Sequence, residues 1–184
     1  KMKRILLFVV CSIYFSFAEA QKREVHILSV NDMHATIDVF PQLAGLIDSL
    51  RTVDPSLLFF SAGDNRTGNP LNDKYSIPSY PMVTLMNLVG FNGSALGNHE
   101  FDGHSLKRLI GLSNFRYICA NIVPDDSIGI HTVPCQVFDV EGLKVGVVGA
   151  VQLSQMGIPS TLPDILHGIH FTQPKEKSIM VTNH

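Results

Sequence analysis

Apolar positions along the chain alternate between short continuous runs and stretches with helical spacing. Residues 24–30 are rich in Val, Ile and Leu and stop at Asn31-Asp32, which predicts a buried strand feeding a loop. Residues 40–50 place Phe40, Leu43, Ile47 and Leu50 at near-helical intervals, and residues 56–61 form a second apolar run closed by Gly63-Asp64. A strand-helix-strand unit results. Met82, Leu85 and Met86, with Val89 following, predict a second helix over 82–88, and a short strand over 93–96 runs into Gly97-Asn98-His99. A third helix is predicted over 105–112 and a fourth strand over 115–120, ending at Asn121. From Thr132 the pattern changes. Residues 133–140 and 143–148 alternate or run apolar around Glu141-Gly142, which predicts a hairpin adding antiparallel strands to the sheet.

Strands alternating with helices imply an α/β layer architecture with helices packed on the sheet faces. The 184 residues are 45% hydrophobic and 16% charged, which suits one globular domain rather than a disordered or fibrous chain. A net charge of -2 gives no electrostatic footprint for nucleic acid. The amino terminus differs from the rest: Lys1, Lys3 and Arg4 precede an uncharged stretch that ends in Ala18-Glu19-Ala20. Residues 1–20 therefore read as a signal peptide, too short in its apolar part for a stable membrane anchor. Residues 21–184 form the expected mature domain, exported to a periplasmic or extracellular space. That location permits Cys119 and Cys135 to pair, although their apolar surroundings equally suit small buried side chains.

The chemistry-bearing residues cluster directly after the first three predicted strands, as Asp32-Met33-His34, Gly63-Asp64-Asn65 and Gly97-Asn98-His99-Glu100-Phe101-Asp102. In an open α/β sheet such loops converge at one rim. Carboxylate, imidazole and amide oxygen together suit zinc, manganese or iron. Asp32 and Asp64 could instead cap turns, and Asn98 could simply end a strand. Those local roles leave the shared placement after strands unexplained.

With these motifs in view, the chain resembles the amino-terminal part of secreted 5'-nucleotidases, within the calcineurin-like metallophosphoesterase superfamily. The resemblance runs over residues 25–174 and also includes Gly68-Asn69-Pro70, Ala120-Asn121 and Lys144-Val145-Gly146-Val147-Val148-Gly149; its most specific part is the Gly-Asn-His-Glu-Phe-Asp run. It implies a layered αββα fold with mixed sheets and a site for two divalent metal ions. Asp32 and His34 would bind the first ion, Asp64 would bridge both, and Asn98 would bind the second through its amide oxygen. His99, oriented by Asp102, would face the phosphate of a nucleotide or other small phosphoester. An alternative role for Asp102 is to cap the following helix.

Other features depart from that pattern or stand outside it. Ala35 replaces the glycine usual after Asp-x-His. Arg66 could reach a phosphate, although a solvated loop position is the plainer reading. Glu100 is expected to serve only local hydrogen bonding. His26, His104, His131, His167 and His170 match no ligand motif and read as surface or structural histidines. The family's later histidine motifs are not recognisable. Residues 179–184 resemble a strand ending in His184, but nine residues between Pro174 and His184 are too few for a crossover helix. The domain therefore reads as incomplete at its carboxyl end, with a nucleotide-binding domain absent or supplied by a separate chain. The contrasting reading is a non-catalytic exported module that binds a metal or a partner.

Overall fold

The structure is a computed structural model that describes residues 23–176. The signal peptide expected at residues 1–20 and His184 lie outside the described residues.

Four strands, β1 (Ile27–Val30), β2 (Leu58–Ser61), β3 (Gly93–Ser94) and β4 (Arg116–Tyr117), form a parallel sheet in sequential order. The helices α1 (Phe40–Val53), α2 (Tyr80–Val89) and α3 (Leu106–Leu112) connect them. This is the α/β arrangement that the alternating pattern predicts. Helix α1 opens on Pro41 in its first turn, where the missing N–H costs nothing, and α2 ends at Gly90, which takes a left-handed conformation. Phe40 and Ile47 of α1, Met82 and Met86 of α2, and Leu106 and Leu109 of α3 are buried with Phe59 in one core.

Strand β2 is buried on both faces. Phe59 points into the helical core, whereas Leu58 and Phe60 belong to a second cluster with Val140, Phe138, Val145 and Val147. These last four come from β6 (Cys135–Val140) and β7 (Leu143–Val148), an antiparallel hairpin turning at Glu141-Gly142 with φ of 51° and 81°. Two successive positive φ values mark a primed turn that matches the strand twist. The hairpin thus forms where expected but does not extend the parallel sheet. It is a separate two-stranded sheet. Its apolar side covers Leu58 and Phe60, with the Phe60 and Phe138 rings 5.3 Å apart and edge to face.

The fourth strand is shorter than its apolar run. After Tyr117 the backbone turns its hydrogen bonds toward the hairpin's flanks, with Cys119 N–H donating to Val133 and Ala120 N–H to Gly149. A further antiparallel pair that sequence did not predict joins β5 (Ile122–Pro124) to β8 (Ile169–Phe171). Cys119 is buried, and Cys119 and Cys135 are both free thiols. Among the described residues, no helix is long and apolar enough to cross a membrane.

Candidate active site

The chain leaves β1, β2 and β3 at the same end of the sheet, and the three outgoing loops are stitched to one another. Asp32 N–H donates to Gly63 (3.1 Å), His34 N–H to Asp64 (3.0 Å) and Ala35 N–H to Asn65 (2.7 Å). This pairing bends the first two loops into unusual backbone. Asp32, His34, Ala35, Asp64 and Thr67 all have positive φ, between 43° and 70°. Each such non-glycine position costs about 1–3 kcal/mol and persists only where the surroundings impose it. The second and third loops meet through glycine: a Cβ on Gly97 would lie 2.2 Å from Asp64 Oδ1, and one on Gly63 would lie 2.5 Å from the Gly97 nitrogen. No side chain fits at either position.

Glu100 holds these loops together from below. Its fully buried carboxylate accepts the N–H groups of Asp64 (2.9 Å), Asn65 (2.8 Å) and Gly97 (2.7 Å). Burial pushes its pKa up, and the hydrogen bonds from Asn65, Gly97 and Asp64 oppose that rise. Sequence reasoning gave this residue local hydrogen bonding alone and missed that it spans two loops. The available signal was an acidic residue placed directly before Phe101, itself a core residue.

The side chains above this frame are the ones the sequence singled out. His34 Nδ1 approaches the Thr67 carbonyl at 3.0 Å. A carbonyl can only accept, so Nδ1 carries a proton, and in the neutral ring Nε2 then holds the lone pair. Nε2 stands 3.9 Å from Asp32 Oδ1. Asp64 Oδ1 accepts the His99 N–H at 2.8 Å, and Asn98 gives its amide N–H to the Ser160 carbonyl at 3.1 Å, its oxygen having no hydrogen bond among the described residues. An imidazole lone pair facing a carboxylate, with its far nitrogen anchored on a carbonyl, is the arrangement found around metal-binding histidines. The donor chemistry therefore fits a divalent cation of the zinc, manganese or iron type. Among the described residues, no three His, Cys, Asp or Glu side chains are gathered closely enough to hold an ion by themselves.

His99 Nδ1 lies 2.8 Å from Asp102 Oδ2, and the His99 and His34 ring centroids are 4.8 Å apart. Asp102 caps no helix, because Ser105 occupies the N-cap of α3 while the Asp102 carboxylate turns to His99. The solvated arginine reading fails at Arg66. Its guanidinium is buried and donates to the Asp102 carbonyl and the Ser105 hydroxyl. Burial lowers its pKa, partly offset by the charge of Asp102. It braces the segment carrying Asp102.

No family model matches the chain. A 5'-nucleotidase of Vibrio cholerae is 34% identical to it over 140 residues, which cover 72% of this chain and 24% of that protein. Protein UshA of Yersinia enterocolitica is 32% identical over 139 residues, covering 71% and 25%. Among solved structures, the NAD nucleotidase of Haemophilus influenzae superposes with a TM-score of 0.75 at 23% identity, over 86% of this chain and 31% of its own. The calcineurin-like phosphoesterase YfkN of Bacillus subtilis gives 0.58 at 21% identity, over 86% and 58%. The chain spans about a quarter of the length of the curated relatives it matches.

Proposed function

We propose that this chain, which is homologous to the amino-terminal part of 5'-nucleotidases and has the calcineurin-like phosphoesterase fold, takes part in metal-dependent hydrolysis of nucleotide phosphoesters. The observation that carries the reading is the meeting of three strand-terminal loops that present Asp32 and His34, Asp64, and Asn98 and His99 on one rim. In this reading Asp32 and His34 would hold a first cation, Asp64 would contribute to both positions, and Asn98 would hold a second through its amide oxygen. Divalent cations bound there would supply Lewis-acid charge for phosphoryl oxygens and for a water nucleophile.

The remaining steps belong to the protein. Asp102 accepts the Nδ1 proton of His99 and fixes the ring, which leaves Nε2 without a hydrogen bond among the described residues. From there a protonated His99 donates to a phosphoryl or leaving-group oxygen, stabilising charge as the ester bond breaks. Glu100 and Arg66 keep the loops in register. The charged amino-terminal run and the apolar stretch after it support an exported protein acting in the periplasm or outside the cell. Phosphate release from nucleoside 5'-monophosphates, cyclic nucleotides and p-nitrophenyl phosphate, with manganese or zinc and with a chelator, tests the reading. Chelator-sensitive release that favours the 5'-monophosphates is expected. Metal-independent release, or bound metal with no release from any of these substrates, would contradict it.

A further inference from the structure

Thr67 sits between the two histidines of the rim in a backbone conformation that a β-branched residue avoids, at φ +70°. Two of its polar atoms are used at once. Its carbonyl accepts the Nδ1 proton of His34 at 3.0 Å, and its hydroxyl donates to Asp102 Oδ2 at 2.9 Å. That same Asp102 oxygen accepts the Nδ1 proton of His99 at 2.8 Å. Each ring therefore has its Nδ1 committed either to Thr67 or to a carboxylate that Thr67 holds. The His34 Nε2 lies 3.9 Å from Asp32 Oδ1, and the His99 Nε2 makes no hydrogen bond among the described residues.

The neighbouring contacts do not duplicate this. Arg66 donates its hydrogen bond to the backbone carbonyl of Asp102, and acts on the carboxylate through charge alone. Thr161 reaches the other carboxylate oxygen at a longer 3.3 Å. The next residue, Gly68, lies so close to His34 that a Cβ there would sit 2.6 Å from the His34 carbonyl oxygen, which keeps the Thr67 carbonyl against the ring.

We propose that Thr67 is a positioning residue that sets both histidines together: its carbonyl fixes His34 with Nε2 toward Asp32, and its hydroxyl fixes Asp102 and, through it, His99. The kinetic consequence rests on the hydrolase reading above, whereas the placement of the rings does not. Thr67→Val removes the hydroxyl while keeping the shape and the carbonyl, and Thr67→Ser restores the hydroxyl. Imidazole proton–nitrogen correlation spectra of the full chain, without metal and at one fixed pH, read the two rings separately. In Thr67→Val the His99 Nδ1–H resonance is expected to broaden or shift as its hold on Asp102 loosens while that of His34 keeps its position, and Thr67→Ser should return His99 to the wild-type pattern. Turnover of a nucleoside 5'-monophosphate should fall about tenfold in Thr67→Val with little change in KM, and recover in Thr67→Ser. An unchanged His99 ring in Thr67→Val, the same change in Thr67→Ser, or equal disturbance of both rings would overturn the proposal. If the wild-type chain releases no phosphate, the hydrolase reading fails while the spectra still decide the role of Thr67.

Discussion

Asp64 and His99 share a hydrogen bond yet are assigned different work. The Asp64 carboxylate accepts the backbone N–H of His99 through Oδ1, and Oδ2 takes no hydrogen bond among the described residues. The His99 ring points its bonded nitrogen at Asp102. Asp64→Ala should therefore abolish binding of both cations, whereas His99→Ala should lower phosphate release and leave metal content unchanged. Metal analysis beside a phosphate assay separates the two, and equal metal loss would mean the roles are misassigned. Glu100 makes a different prediction, because truncating it strands three backbone N–H donors, that of Asn65 buried and those of Asp64 and Gly97 part-buried. Glu100→Ala should cost at least about 3 kcal/mol of stability in denaturant titration. The sequence pointed to Asp64, His99 and Asp102 because they stand in a short motif with recognisable chemistry. Arg66 escaped it, since its burial depends on Asp102 and Ser105, which are remote in the chain and adjacent only after folding.

Two joints tie the elements of the fold together, one where the chain enters β1 and β2 and one on the face of β2. At the end of α1 the Asp54 carboxylate accepts the Ser56 N–H (2.8 Å) and hydroxyl (2.6 Å), and His26 Nδ1 lies 2.7 Å from its other oxygen. Hydrogen bonds from Ser56 first, then from His26, hold its pKa below the usual carboxylate value. A lowered native pKa means that this joint stabilises the fold above the unfolded value of 3.8 and loses that contribution as pH falls through the native one. Asp54→Ala should lower the melting temperature at neutral pH, and the difference from wild type should shrink steadily below about pH 4. The second joint is the hairpin on β2. Phe60→Ala removes the ring packed on Phe138 and should cost about 3–5 kcal/mol, with faster amide exchange concentrated in β6 and β7. Alternation along these strands told which residues face a core but not which sheet they join. Apolar periodicity likewise placed α1, yet its helix continues to Val53 because no breaker intervenes before Asp54-Pro55.

Across the whole molecule, the sheet brings together at one rim motifs that lie far apart in the chain. The parallel order β1-β2-β3-β4 sets the outgoing loops side by side, so chain order becomes spatial order. That consequence was legible in the sequence, because three apolar runs each ended at a polar group suited to metal binding. The way the rim is locked was not, since it depends on loop-to-loop hydrogen bonds, on positive φ at Asp32, His34 and Asp64, and on Glu100 beneath them. If the rim binds divalent cations through Asp32, His34, Asp64 and Asn98, anomalous diffraction from crystals of the chain grown with manganese will show a peak in contact with His34 Nε2 and the carboxylates of Asp32 and Asp64, absent in Asp64→Ala. A rim that stays empty at saturating manganese, or a peak that persists in Asp64→Ala, would contradict it.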